Sequence, residues 1–78
     1  MPVYKLPPRF YYDHRNRDLP SGEIVKETSN YVFVELTDDE KDELVSDARY
    51  YVEESSHMPN HLQGLIASAR ATLRRLEE

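Results

Sequence analysis

"EIVKETSNYVFVELTDDE", residues 23–40, carries two kinds of periodicity back to back, and the change between them sets the fold class. As far as Leu36 the stretch is rich in β-branched and aromatic residues, with Ser29-Asn30 at its middle. Such residues suit a pleated, half-buried surface, and a short polar pair between two such runs predicts a hairpin. With Ser29-Asn30 as a two-residue turn, the cross-strand pairs are Thr28/Tyr31, Glu27/Val32, Lys26/Phe33 and Val25/Val34. Val25, Val32, Val34 and Leu36 then share one face, the expected core side. Ile24, Lys26, Thr28, Tyr31, Phe33 and Glu35 share the other. That second face is too apolar for open water, so a cover is expected: the N-terminal arm (Tyr4, Leu6) or a second copy of the chain. From Thr37 the signal changes. Thr37-Asp38-Asp39-Glu40 is a capping box, with Thr37 as N-cap and Glu40 at the third helical position. Asp38 and Asp39 also suit the positive end of a helix dipole.

The expected helix runs from about 38 to 54. Leu44, Val45, Ala48, Tyr51 and Val52 repeat at helical spacing and form its core face. Asp39, Glu43, Asp47, Tyr50 and Glu54 form an opposite, outward stripe. "SSHMPN", 55–60, breaks the chain, and a second amphipathic helix follows with Leu62, Leu65, Ile66, Ala69, Leu73 and Leu76 on one face. In the other direction, "LPSGE", 19–23, reads as a turn, because Pro20 fixes φ and Gly22 frees it. "RFYYDH", 9–14, is rich in strand formers and is expected to be a strand, with Tyr12 in the core and Tyr11 outward. "MPVYKLPP", 1–8, holds three of the five prolines and reads as an extended arm lying on the sheet. The expected fold is therefore a single α+β domain over 1–78: arm 1–8, β-sheet region 9–36, helical hairpin 37–78. It is a small antiparallel sheet of about three strands, packed on one face by a C-terminal two-helix hairpin, in the order β-β-β-α-α.

Bulk properties narrow the function. The chain has 78 residues, no cysteine and a formal net charge of −5. Disulfides and cysteine-based metal sites are excluded, and no apolar run approaches a membrane span. A cytoplasmic setting without membrane contact is expected. The acidity is concentrated: residues 37–60 hold two Lys/Arg against eight Asp/Glu, while residues 1–36 hold five of each. An acidic segment disfavours contact with nucleic-acid phosphates and anionic lipid and suits a basic protein partner.

The most chemical-looking stretch is "YYDHRNRDLP", 11–20. Asp13 and His14 resemble a base and its orienting carboxylate, but a nucleophile is missing. On a strand, moreover, adjacent side chains point to opposite faces. The bland reading is a charged connection in which Arg15 and Arg17 pair with Asp13 or Asp18. His57 and His61 stand four apart, as in helical metal pairs, yet Pro59 interrupts them and no third ligand is evident. The acidic run at 39, 43 and 47 is an ordinary solvated helix face before it is a cation site. No phosphate-binding loop, dinucleotide fingerprint or calcium loop is present. A small metal-dependent hydrolase on Asp13, His14 and His57 ranks below the alternatives. No cofactor is expected.

Two segments resemble known families. "YVFVELTDDEKDELVSDA…HLQGLIASARATLRRLEE", residues 31–78, resembles the ribbon-helix-helix repressors, which implies a strand entering the DNA major groove. Its outward strand residues are Tyr31, Phe33 and Glu35, where that family has basic or polar side chains. "RDLPSGEIVKETSNYVFVEL", 17–36, is similar to the three-stranded DNA-binding domains that begin lambda-type integrases. Under that nucleic-acid reading Arg9, Arg15, Arg17 and Lys26 form the basic strip.

Six tyrosines in 78 residues carry the remaining signal. Tyrosine is enriched at binding hot spots because a rigid ring buries area at low entropy cost. The leading expectation is a non-enzymatic protein-interaction module. A regulator or inhibitor of the kind phages and mobile elements encode fits the size. Its contacts are expected on Tyr50, Glu43, Asp47, Asp39 and Glu54, with Tyr31, Phe33 and Tyr11 as further candidates. Homodimerisation through the second sheet face is a part of that expectation.

Overall fold

The computed structural model describes residues 2–77, in the order β1 (Val3–Leu6), α1 (Pro8–Asn16), β2 (Glu23–Glu27), β3 (Val32–Glu35), α2 (Asp38–Glu53) and α3 (Gln63–Leu76). Two short 3₁₀ turns, Ser55–His57 and Asn60–Leu62, join α2 to α3. The sheet has three strands in the order β1-β3-β2, and both pairings are antiparallel. A helix pair closes the chain, so the α+β architecture stands as the periodicities require.

The third strand has a different source from the expected one. Residues 9–14 are helical, and the arm supplies β1 instead, with Val3 opposite Glu35, Tyr4 opposite Val34, Lys5 opposite Phe33 and Leu6 opposite Val32. Two prolines explain the switch. Residues preceding proline are pushed to extended backbone, which ends β1 at Leu6 and keeps Pro7 extended at φ −64°, ψ 133°. Pro8 then sits at the first helical position, where a missing N–H costs nothing. Helical spacing puts Phe10, Tyr11 and His14 on the buried side. The Phe10 amide, one of the orphan donors of the first turn, donates to Ser68 Oγ of α3 at 3.0 Å. Asp18 ends the helix in a left-handed conformation at φ 60°, which aspartate tolerates better than most residues.

With β1 and β2 both antiparallel to β3, the two edge strands run parallel to each other, and α1 carries the chain from one to the other. The hairpin follows the expected register at Glu27/Val32 and Lys26/Phe33, and Thr28 N–H donates to Tyr31 O at 2.8 Å. Beyond Lys26 it departs. A bulge takes up Val25, so Ile24, not Val25, stands opposite Val34. An extra residue on one strand flips the side-chain phase. Ile24 therefore packs on the core, whereas Val25, expected inside, is 50% exposed.

The core holds Leu6, Phe10, Tyr11, Val32, Val34, Leu36, Leu44, Ala48, Leu65, Ala69 and Leu76, all buried. Val45, Tyr51, Val52, Leu62 and Leu73 pack against it. The expected apolar stripes of both C-terminal helices thus face inward. The Thr37 capping box forms in full, with Glu40 N–H to Thr37 Oγ1 and Thr37 N–H to Glu40 Oε1.

Candidate functional site

Asp13 and His14 lie on α1, not on a strand, and their side chains go in separate directions. His14 is fully buried. Its Nδ1 lies 2.8 Å from Asp47 Oδ2 and its Nε2 lies 2.9 Å from Pro20 O. A carbonyl oxygen only accepts, and an ionised carboxylate only accepts, so both contacts are hydrogen bonds at once when the ring carries a proton on each nitrogen. Asp47 also receives Arg17, which bonds both of its carboxylate oxygens. Arg17 pairs with Asp13 at 3.0 Å as well, one helical turn away. Tyr51 O–H donates to Asp13 Oδ2 at 3.3 Å, and Arg17 lies over the Tyr51 ring.

The electrostatics follow from these contacts. Burial pushes the Asp47 carboxyl up, but hydrogen bonds from His14 and Arg17 and the Arg17 charge outweigh it, and the group sits below the usual carboxylate range. Burial pulls the Arg17 guanidinium down, and its bond and charge pairing with Asp47 more than reverse this. The Tyr51 phenol is raised, first by burial and then by Asp13, with Arg17 opposing.

A second set of bonds ties down the connection after α1. Tyr11 O–H donates to Ser21 O at 2.7 Å, and Arg15 donates to the Tyr11 oxygen at 3.1 Å. The cluster therefore latches α1, the 17–22 connection and α2 together. His14 has no free nitrogen and no exposed surface to offer a substrate.

Two expected site residues change place. Asp47, expected on the outward acidic stripe, turns toward α1 and keeps 13% of its side chain exposed. It borders the Leu44–Ala48–Tyr51 face, and α1 packs over that border. Tyr11, expected at the surface, is fully buried, and Tyr12, expected in the core, is partly exposed and bonds Glu27. The strand reading had the alternation out of phase with the helical one.

Asp39, Glu43 and Tyr50 on α2 and Glu54 at its C-cap are exposed, as expected. Tyr50 is 60% exposed and closes a shallow depression of about 400 Å³ lined also by Asp42, Val45, Ser46, Arg49 and Glu53. All six residues come from one stripe of α2. Arg49 turns to Glu77 at the end of α3. The Tyr50 ring meets the edge of Tyr51 at 5.9 Å, so an exposed ring rests on one held by the latch. Tyr31 and Phe33 lie on the far side of the sheet.

The basic strip Arg9, Arg15, Arg17 and Lys26 is not assembled. Arg9 lies against Gly64, Arg15 and Arg17 serve the latch, and Lys26 projects over Phe33. His57 is 80% exposed beside Glu54. Among the described residues no group of three His, Asp or Glu side chains is placed to hold a metal ion. No helix there is long and apolar enough to cross a membrane. Comparison with protein-family models, curated proteins and solved structures finds no match to the chain.

Proposed function

We propose that this chain is a non-enzymatic interaction module that binds a protein partner through the exposed face of α2. The carrying observation is Tyr50: a large ring, 60% exposed, beside a depression flanked by carboxylates, with Tyr51 fixed behind it. A ring already held in place loses little entropy on binding, which is what a hot-spot tyrosine offers. The surrounding Asp42, Glu43, Glu53 and Glu54 suit a partner that brings basic side chains. A regulator or inhibitor acting in the cytoplasm fits this reading, as does the size of the chain.

The experiment is affinity capture from host lysate with the native chain, Tyr50→Ala and Glu43→Lys, each checked for an unchanged melting curve. Proteins retained by the native chain and lost with both variants support the reading. Capture that is the same for all three places the contact elsewhere and removes it.

A further inference from the structure

We propose that the uncovered face of the sheet binds a short single strand of DNA, stacking two bases on Phe33 and Tyr31. The N-terminal arm does not cover this face. It joins the edge of the sheet as β1, and its Tyr4 and Leu6 stand opposite Val34 and Val32 on the core side. Phe33 stays half-buried at the middle of the central strand, with Lys5 of β1 and Lys26 of β2 opposite it in register on either side. Lys5 Nζ lies 4.1 Å from the Tyr31 ring centroid, and Lys26 Nζ lies 5.6 Å from that of Phe33. Arg75, at the end of α3, reaches the same Tyr31 ring at 5.7 Å.

Two half-buried rings two residues apart, Phe33 on β3 and Tyr31 just before it, with three cations around them, have the composition of a stacking platform. Every base offers a π face to such rings, and the cations take the phosphates. In the free chain the cations lie over the rings. A base that replaces an ammonium there leaves it free to swing out to the strand's backbone. The negative residues of the face, Glu23 and Glu35, oppose each other at its other end beside Val3. They repel phosphates from that end and confine the strand to the Tyr31–Phe33 half. The acidic helix α2 lies in the layer on the opposite side of the sheet.

A second copy of the chain is the rival occupant. Three strands of four or five residues span only about 13 by 14 Å at standard strand spacings. That falls far short of the roughly 800 Å² per partner of a standard interface. A strand of two or three nucleotides is the better match in size. Neither base stacking nor the phosphate contacts of the cations require a ribose hydroxyl, so a DNA strand satisfies the platform in full.

The test is fluorescence anisotropy of a labelled ten-residue oligothymidylate against the full chain, from about 50 to 300 mM salt, with oligouridylate and poly-glutamate as further arms. Contacts from Lys5, Lys26 and Arg75 predict a log–log salt slope of about −2, since each phosphate neutralised on a single strand contributes about −0.7. Phe33→Ala is expected to weaken binding about tenfold or more, and Lys5→Gln with Lys26→Gln to flatten the slope to about −0.7. The lysine pair is a surface change, so it keeps the test sound should Phe33→Ala unfold the chain. The proposal is overturned by absence of binding at 50 mM salt, by a slope unchanged in the lysine variant, by equal competition from poly-glutamate, by binding of the RNA alone, or by concentration-dependent dimers that exclude the oligonucleotide.

Discussion

His14 of α1 and Asp47 of α2 meet at 2.8 Å in a site where the imidazole is wholly buried and its other nitrogen already bonds Pro20 O. One side chain thus fastens α1, the connection after it and α2 together. Replacing His14 with Phe keeps the ring volume but leaves the Pro20 carbonyl without its donor and the Asp47 carboxylate with Arg17 alone. An unsatisfied buried acceptor costs about 1–3 kcal/mol, so His14→Phe should lower stability by roughly 2–4 kcal/mol in urea unfolding. Asp47→Asn should cost about 1–3 kcal/mol, less because Arg17 beside it is partly exposed and screened. The double variant should cost clearly less than the sum. Additive losses would show that the two residues do not interact.

Asp47 of this pair should contribute to the acid limit. The folded-state pKa of Asp47 is depressed, so its ionised form stabilises the fold at pH values above the ordinary aspartate value of about 4. That contribution is lost as pH falls through the depressed value. The native chain should therefore lose stability as pH falls below about 4, and Asp47→Asn should lose less over the same interval. Urea midpoints measured from pH 5 to pH 2 decide the matter. Equal slopes for the two chains would assign the acid sensitivity to other carboxylates.

Gly22 and Asp18 flank the connection that the latch holds, and both have positive φ, at 70° and 60°. They should respond oppositely to substitution. A Cβ at Gly22 would collide with the carbonyl oxygen of Glu35 and crowd the Leu36 side chain, both parts of the β3 exit. Backbone strain plus that clash should make Gly22→Ala destabilising by about 2 kcal/mol or more. Asp18→Gly relaxes a left-handed residue just past a helix end and should be neutral or stabilising by up to about 1 kcal/mol. Thermal melts separate the two, and a harmless Gly22→Ala would mean that the connection adopts another path.

These residues also mark where the sequence was legible. The capping box at Thr37, the apolar stripes of α2 and α3, and Val32, Val34 and Leu36 on the core face were all readable, because each rests on a periodicity that its own segment supplies. The helix at 8–16 is masked in the sequence, because three aromatic residues in nine favour a strand over the signs of a helix start. Those signs were present: Pro7-Pro8 at a helix start, Phe10 with His14, and Asp13 with Arg17, each pair four apart. Missing that helix misplaced the rest of the site. Tyr11 and Tyr12 exchange roles between period 2 and period 3.6, and Asp47 is drawn inward only because α1 packs on the border of α2. The Val25 bulge has no local signature, since either neighbour could oppose Val34; burial of Ile24 decides it.

Glu23 and Glu35 stand directly opposite each other across β2 and β3, next to the row in which Lys5, Phe33 and Lys26 align. Like charges at opposed positions destabilise a sheet, whereas opposite charges contribute about 0.2–1 kcal/mol. Glu35→Lys turns the repulsive pair into an attractive one and should raise the melting temperature by a few degrees, the shift expected of about 0.5 kcal/mol in a chain of this size. It also places a fourth cation on the open face of the sheet. If that face holds a single strand, the variant should bind more tightly and its log–log salt slope should steepen by about 0.7. The two readouts are separable. A higher melting temperature with no change in binding would confirm the register and discard the platform, and a lower melting temperature would show that the two carboxylates are not opposed.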